Sequence, residues 1–223
     1  MNTRKYLAEV LGTFVLVFGG SMSILAAIAM EAPILAVVPL GFGLALLAAI
    51  FAFGTASGAH FNPAVTLGAM LDRRIGPLDA AAYVVAQVIG AIGASALVAA
   101  VAGGPDAVAL TTNGLGPGVT PVAGFAIEVV LTAIFVIVIL TTAGRVPAHA
   151  PFVIPLTLVM IHLAGIPFTG ASVNPARALG PAVVSGDLSQ VWIYLTAPFV
   201  GGAIGWAIYR VFEAGETPES GGG

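Results

Sequence analysis

Long apolar stretches separated by short turns dominate the chain. Stretches at about 5–29, 34–55, 79–102, 121–143, 151–166 and 190–212 are predicted as six membrane-spanning helices, since a span needs about 20 mostly apolar residues to cover a ~30 Å hydrocarbon core. Two shorter apolar stretches, 62–71 and 174–184, remain. As helices each rises only ~15 Å, half of that core, so neither crosses alone. Such a segment lies at the interface, or dips in and returns with its backbone shielded by protein. Small residues at close-packing spacing, as in Gly90/Gly93 and Gly201/Gly205, suit helices that approach closely in lipid.

Composition sharpens this to an integral membrane protein. Apolar residues make up 59% and charged residues 8%, against about 25% charged in soluble domains. Mean hydropathy is +1.07. A disordered chain is excluded, because it needs low hydrophobicity and high charge. A nucleic-acid partner is excluded as well, because seven Lys and Arg make no basic face. The net charge of −3 adds little. With no cysteine there is no disulfide, thiol nucleophile or thiolate metal site. The three histidines show no metal-ligand spacing. No nucleophile–base pair is apparent, so neither an enzyme nor a bound metal or cofactor is expected. The first apolar run, Tyr6 to Met30, exceeds the about 7–15 residues of a signal-peptide core. It is expected to be a retained span, although Arg4-Lys5 and Ala27-Ile28-Ala29 imitate a cleavable signal.

The charges orient the map. With six spans and both termini cytoplasmic, Arg4, Lys5, Arg73, Arg74, Arg145 and Arg210 all fall on the inner side. The outer loops carry Glu31, Asp106 and Asp187. This is the positive-inside pattern, with Arg177 as its one exception. The expected location is the cell (plasma or inner) membrane. Residues 1–212 read as one domain, with inverted halves at about 1–115 and 116–212, and 213–223 read as a disordered polar tail.

The halves repeat one another. Ser57-Gly58-Ala59-His60-Phe61-Asn62-Pro63-Ala64-Val65-Thr66 parallels Thr169-Gly170-Ala171-Ser172-Val173-Asn174-Pro175-Ala176-Arg177-Ala178, with the asparagines 112 positions apart. Ala8-Glu9-Val10-Leu11-Gly12-Thr13-Phe14 parallels Ile127-Glu128-Val129-Val130-Leu131-Thr132-Ala133. Each half holds three crossings, an odd number, so the second half is inserted upside down. In such inverted repeats the site lies near the midplane, between the halves.

Asn-Pro-Ala has a local reading of its own. Asn is a favoured N-cap, and Pro suits the first helical position because its missing N–H is an orphan there anyway. Asn62, Pro63 and Ala64, and again Asn174, Pro175 and Ala176, therefore open two half-helices. Entering from opposite sides, the half-helices turn their N-termini toward each other. Each end carries about +0.5 of a charge, which repels cations, while the Asn amides donate hydrogen bonds.

With these motifs the sequence resembles the aquaporin family (major intrinsic proteins), over about Tyr6 to Phe212. The resemblance implies an all-α membrane fold of six spanning helices plus two re-entrant half-helices, one pore per protomer and a homotetramer. It also implies an outer constriction built from Phe42, His162, Ala171 and Arg177, with Phe42 opposite His162 across a narrow slot. Arg177 is expected to face the pore and to repel cations. His162 together with Ala178, where glycerol-conducting relatives carry Asp, favours water. Departures are Ala171 for Thr or Cys, Ala178 for Ser, and Leu195 for an aromatic residue. Glu9 and Glu128 are expected to accept hydrogen bonds from the re-entrant loops, because backbone N–H groups are not left unsatisfied in lipid. Carbonyls near Gly58, Ala59, His60, Gly170 and Ser172 are expected to line the pore. His60 has either a lining or a packing role, and His149 is a loop histidine that is solvated or senses pH. The expected function is passive single-file water conduction that excludes protons and ions, with water accepting hydrogen bonds from Arg177, His162 and the Asn amides. The alternative is a channel for small neutral solutes such as glycerol, ammonia or hydrogen peroxide.

Overall fold

The computed structural model describes residues 3–214. Among them are nine helices: α1 (Thr3–Ala29), α2 (Ile34–Ser57), α3 (Pro63–Leu71), α4 (Pro77–Ala102), α5 (Pro105–Ala109), α6 (Pro121–Arg145), α7 (Ala150–Thr169), α8 (Pro175–Ser185) and α9 (Val191–Ala214). Six of these, α1, α2, α4, α6, α7 and α9, are long and apolar enough to cross a membrane. The helix starts follow from the chain: α3, α4, α6 and α8 all open with proline, whose fixed φ suits the first turn.

The segments joining α2 to α3 and α7 to α8 share one backbone path. Gly58 and Gly170 close α2 and α7 in the left-handed region, at φ of 87° and 73°. Ala59 and Phe61 follow at 55° and 49°, and Ala171 and Val173 at 49° and 45°. Left-handed residues other than Gly cost about 1–3 kcal/mol each, so surrounding contacts must over-determine them. Two unrelated stretches would not share so uncommon a path.

The half-helices are exchanged between the halves. α3, from the first half, packs on α9, and α8, from the second, packs on α4. α1 packs on α2 and α4, α6 packs on α7 and α9, and α2 meets α7 at the centre. Glycine permits the closest crossings. A Cβ on Gly90 would fall 2.2 Å from the Val10 carbonyl oxygen, and one on Gly201 would fall 2.4 Å from that of Val129.

Three boundaries differ from the expectation. α7 runs to Thr169 rather than 166, because Pro167 is accommodated within it and Gly170 supplies the cap. α5 is a short helix in a segment expected as loop. Glu213 and Ala214, expected in the polar tail, belong to α9, and Glu213 accepts from Arg145 Nε at 2.8 Å. The rest of that tail, 215–223, lies outside the described residues.

Candidate functional site

The two half-helices meet end to end through their caps. Asn62 Oδ1 accepts from the Ala64 N–H at 2.8 Å. Asn174 Oδ1 accepts from the N–H groups of Ala176 and Arg177 at 3.0 and 3.2 Å. The amide nitrogens reach across the midplane. Asn62 Nδ2 donates to the Val173 carbonyl at 2.8 Å, and Asn174 Nδ2 donates to the Phe61 carbonyl at 2.9 Å. One N–H of each amide is thus spent on the other half, and one is left. Pro63, Ala64, Pro175 and Ala176 are buried; the α3 backbone runs so close to α9 that a Cβ on Gly202 would lie 2.9 Å from the Ala64 carbonyl oxygen.

A buried carboxylate supports each loop. Glu9 Oε1 accepts from Ser57 Oγ at 2.7 Å and the His60 N–H at 3.0 Å. Its Oε2 accepts from the Phe61 N–H and from Gln87 Nε2, both at 2.7 Å. Glu128 repeats the pattern. Its Oε1 accepts from Thr169 Oγ1 at 2.7 Å and the Ser172 N–H at 2.9 Å, and its Oε2 accepts from the Val173 N–H at 2.8 Å. The same hydroxyls serve the next residue: Ser57 Oγ accepts from the Ala59 N–H and Thr169 Oγ1 from the Ala171 N–H, both at 3.1 Å. These bonds hold the left-handed residues in place and satisfy N–H groups that lipid cannot.

Phe42, His162, Arg177, Asn62 and Asn174 converge on one narrow cavity of about 20 Å³, together with Leu16, Leu158, Ser172 and Val173. Phe42 and His162 do not face each other across a slot. Their rings stack, with centroids 4.5 Å apart and planes 20° from parallel, too close to leave a water-wide slot between them. His162 Nδ1 lies 2.9 Å from the Leu158 carbonyl. A carbonyl only accepts, so Nδ1 carries the proton, and Nε2 of the neutral ring is left as an acceptor. The sequence reading has His162 donating; here its remaining nitrogen is an acceptor. That Nε2 and Arg177 Nε are buried without a partner among the described residues.

Arg177 is 4% exposed. It donates through Nη1 to the Thr111 carbonyl at 3.2 Å and to Asn113 Oδ1. The fourth expected residue, Ala171, does not line this cavity. Its left-handed φ and full burial turn it into the packing against α7, where a Cβ on Gly165 would come within 2.8 Å of its own. Ser172 lines the cavity, but its hydroxyl donates to the Asn174 carbonyl at 2.9 Å.

On the opposite side of the caps a wider cavity of about 640 Å³ is lined by Gly58, Ala59 and His60, with Ile50, Phe135 and Ile154 among its apolar walls. His60 serves both as lining and in packing. Its ring meets Tyr83 edge-on at 5.2 Å, and Nδ1 lies 3.1 Å from Thr66 Oγ1. Thr66 spends its single proton on the Asn62 carbonyl at 3.1 Å, so His60 Nδ1 is the donor. Gly170 lies away from both cavities, against Asn113. His149 is exposed at the start of α7.

Sequence reasoning did not single out Thr111, Asn113, Gln87 or Leu158. Asn113-Gly114 reads as an ordinary turn, and Thr111 and Leu158 act through backbone carbonyls that no side-chain pattern reveals. Gln87 carried a usable signal, as an amide inside an apolar span, where a polar group requires partners.

Comparison with known proteins agrees with this geometry. The family model described as "Major intrinsic protein" matches residues 1–209. The chain is 45% identical over 233 residues to Aquaporin Z of Rhodopseudomonas palustris, covering 97% of this chain and 96% of that one. It is 41% identical over 217 residues to glycerol uptake facilitator protein-like 6 of Lactiplantibacillus plantarum, covering 93% and 97%. Its fold superimposes on the X-ray structure of the aquaglyceroporin from Plasmodium falciparum with a TM-score of 0.85 and 26% identity, covering 94% of this chain and 96% of that one. Six apolar helices, two half-helices capped by Asn-Pro-Ala and the full-length matches lead to one assignment: the chain is a multi-pass membrane protein of the major intrinsic protein family.

Proposed function

We propose that the protein is a passive channel that carries water in single file down an osmotic gradient while excluding protons and ions. The observation that carries this is the narrow cavity at Phe42, His162 and Arg177. Its about 20 Å³ suits roughly one water, which needs about 10–15 Å³ by this measure. The free His162 Nε2 accepts one hydrogen bond from that water and Arg177 donates another, while Phe42 removes further space.

Deeper in, the remaining Asn62 and Asn174 N–H groups point a water's oxygen at the two helix ends. Both lone pairs are then engaged, so the water cannot accept a proton from its neighbour in the file. The positive helix ends and the guanidinium add an electrostatic barrier to cations. Coupling to an ion gradient requires an ionisable group free to change state. Glu9 and Glu128 are instead occupied by loop N–H groups. This supports a channel rather than a pump or an enzyme. Relatives named Aquaporin Z support water as the permeant.

The reading includes both termini on the cytoplasmic side, by the positive-inside pattern, in a cell membrane. It also includes a homotetramer with one pore per subunit, and the span-bearing residues as a single domain. Stopped-flow light scattering on proteoliposomes tests it. Water flux should rise well above that of empty liposomes, with a low activation energy and no current. Glycerol flux equal to water flux would replace this reading with a small-solute channel, as the glycerol-facilitator relative would suggest. Chemical cross-linking in native membranes should yield a species four times the 22.2 kDa chain mass.

A further inference from the structure

Arg177 is held by the segment between α5 and α6, so whatever fixes that segment fixes the guanidinium. Thr111, whose carbonyl accepts from Arg177 Nη1, is tied to α5: its N–H and its hydroxyl both donate to the Val108 carbonyl at 2.8 Å. Asn113, the second acceptor, lies two residues farther along. There Thr112, Asn113 and Gly114 border a cavity of about 200 Å³, shared with Ala182, Gln190 and Tyr194. Packing from that side therefore does not pin Asn113.

Two hydrogen bonds just downstream tie the segment instead. The Leu115 N–H donates to Gln190 Oε1 at 2.8 Å, from 75 positions away. The Gly116 N–H donates to the Phe168 carbonyl at 2.8 Å, an approach so close that a Cβ on Gly116 would fall 2.1 Å from the Pro167 carbonyl oxygen. The Leu115 side chain adds apolar packing on the cluster of Ala178, Ile193, Tyr194 and Ala197.

Gln190 is itself firmly placed. It precedes α9 directly, and its carbonyl accepts from the Ile193 N–H at 3.2 Å. The turn that delivers it from α8 is closed by Asp187 Oδ1, which accepts from the Ser189 N–H at 3.1 Å and the Ser189 hydroxyl at 2.7 Å. An N–H needs an acceptor, and of the two ends of a carboxamide only the oxygen accepts. Thus α8 carries Arg177, and the turn that leaves α8 carries the group that ties down the loop holding Arg177.

We infer that Gln190 is a positioning residue for Arg177: by accepting from the Leu115 N–H it keeps the loop where Asn113 Oδ1 meets the guanidinium. The consequence for ion exclusion rests on the channel reading above; the placement of Arg177 does not.

The test follows Arg177 directly. The full chain in detergent is treated with methylglyoxal, and adduct formation at Arg177 is followed by peptide mass spectrometry, relative to the exposed Arg73. Gln190→Ala should raise the relative rate at Arg177 roughly two- to ten-fold, the equilibrium equivalent of one neutral hydrogen bond. Q190L, of similar bulk but without an acceptor, should match Q190A. Q190E, which keeps an oxygen at that point, should stay near wild type. A wild-type rate in Q190A or in Q190L, or a rise in Q190E as large as in Q190A, would overturn the proposal. In liposomes loaded with a pH-sensitive dye, Q190A should leak protons more than wild type and less than R177V. Wild-type leak in Q190A beside a leaking R177V would overturn the link to exclusion. R177V without leak would instead remove the exclusion reading, and the reactivity of Arg177 would still decide the positioning.

Discussion

The guanidinium of Arg177 lies over the ring of Phe42, its central carbon 4.9 Å from the centroid, and the same ring stacks on the imidazole of His162. Phe42 therefore does more than occupy volume: it braces the cation and the acceptor that flank it. A cation over an aromatic face contributes about 0.5–2 kcal/mol. Phe42→Ala should therefore both widen the constriction and loosen Arg177. F42A/H162A proteoliposomes are expected to pass glycerol at a rate approaching that of water, measured by stopped-flow swelling. Glycerol flux no higher than wild type would move the constriction elsewhere.

Arg177 supplies the fixed positive charge of the site. Arg177→Val should raise proton or cation leak, read with a pH-sensitive dye inside liposomes under an imposed gradient. Asn113→Ala should give a smaller increase in the same assay. It removes one of two Nη1 anchors, a charged hydrogen bond of about 1.5–3 kcal/mol, and leaves the charge itself. Unchanged leak in R177V would remove the guanidinium from the exclusion mechanism.

Glu128 satisfies three donors, from Thr169, Ser172 and Val173. Glu128→Ala orphans all three in a buried site, at about 1–3 kcal/mol each. It should lower the thermal unfolding midpoint in detergent markedly. Glu128→Gln, which keeps one acceptor oxygen, should fall between the two. Equal midpoints for E128A and wild type would show that the loop holds its shape without the carboxylate.

Mercurials block channels through thiols, and this chain has no cysteine. Its water flux should be insensitive to mercuric chloride. His162→Cys places a thiol in the lining of the narrow cavity and should confer a block that excess thiol reverses. An unblocked H162C would mean that position 162 does not border the permeation path.

The fold was legible in the sequence wherever the physics is local. Helix length against bilayer thickness identified six crossings and two segments too short to cross. Asn-Pro-Ala marked both half-helix starts, because an N-cap and a first-turn proline act within three residues. The matched Glu9 and Glu128 segments revealed the inversion, because an odd number of crossings per half permits no other topology.

What joins distant segments was decided only by the tertiary structure. Asn62 bonds to Val173, and Asn174 to Phe61, across more than 100 positions. Phe42 and His162 stack because α2 meets α7, which no spacing along either helix specifies. His162 is an acceptor because its other nitrogen met a carbonyl one turn back. Ala171 does not line the cavity because its Cβ packs against Gly165 of α7. Asn113 became the anchor of Arg177 because the loop that carries it folds over α8. Local propensity and hydrophobic length act along the chain, so the sequence alone determines them. Side-chain direction, tautomer and the pairing of remote loops depend on what packing brings near, so they exist only once the chain has folded.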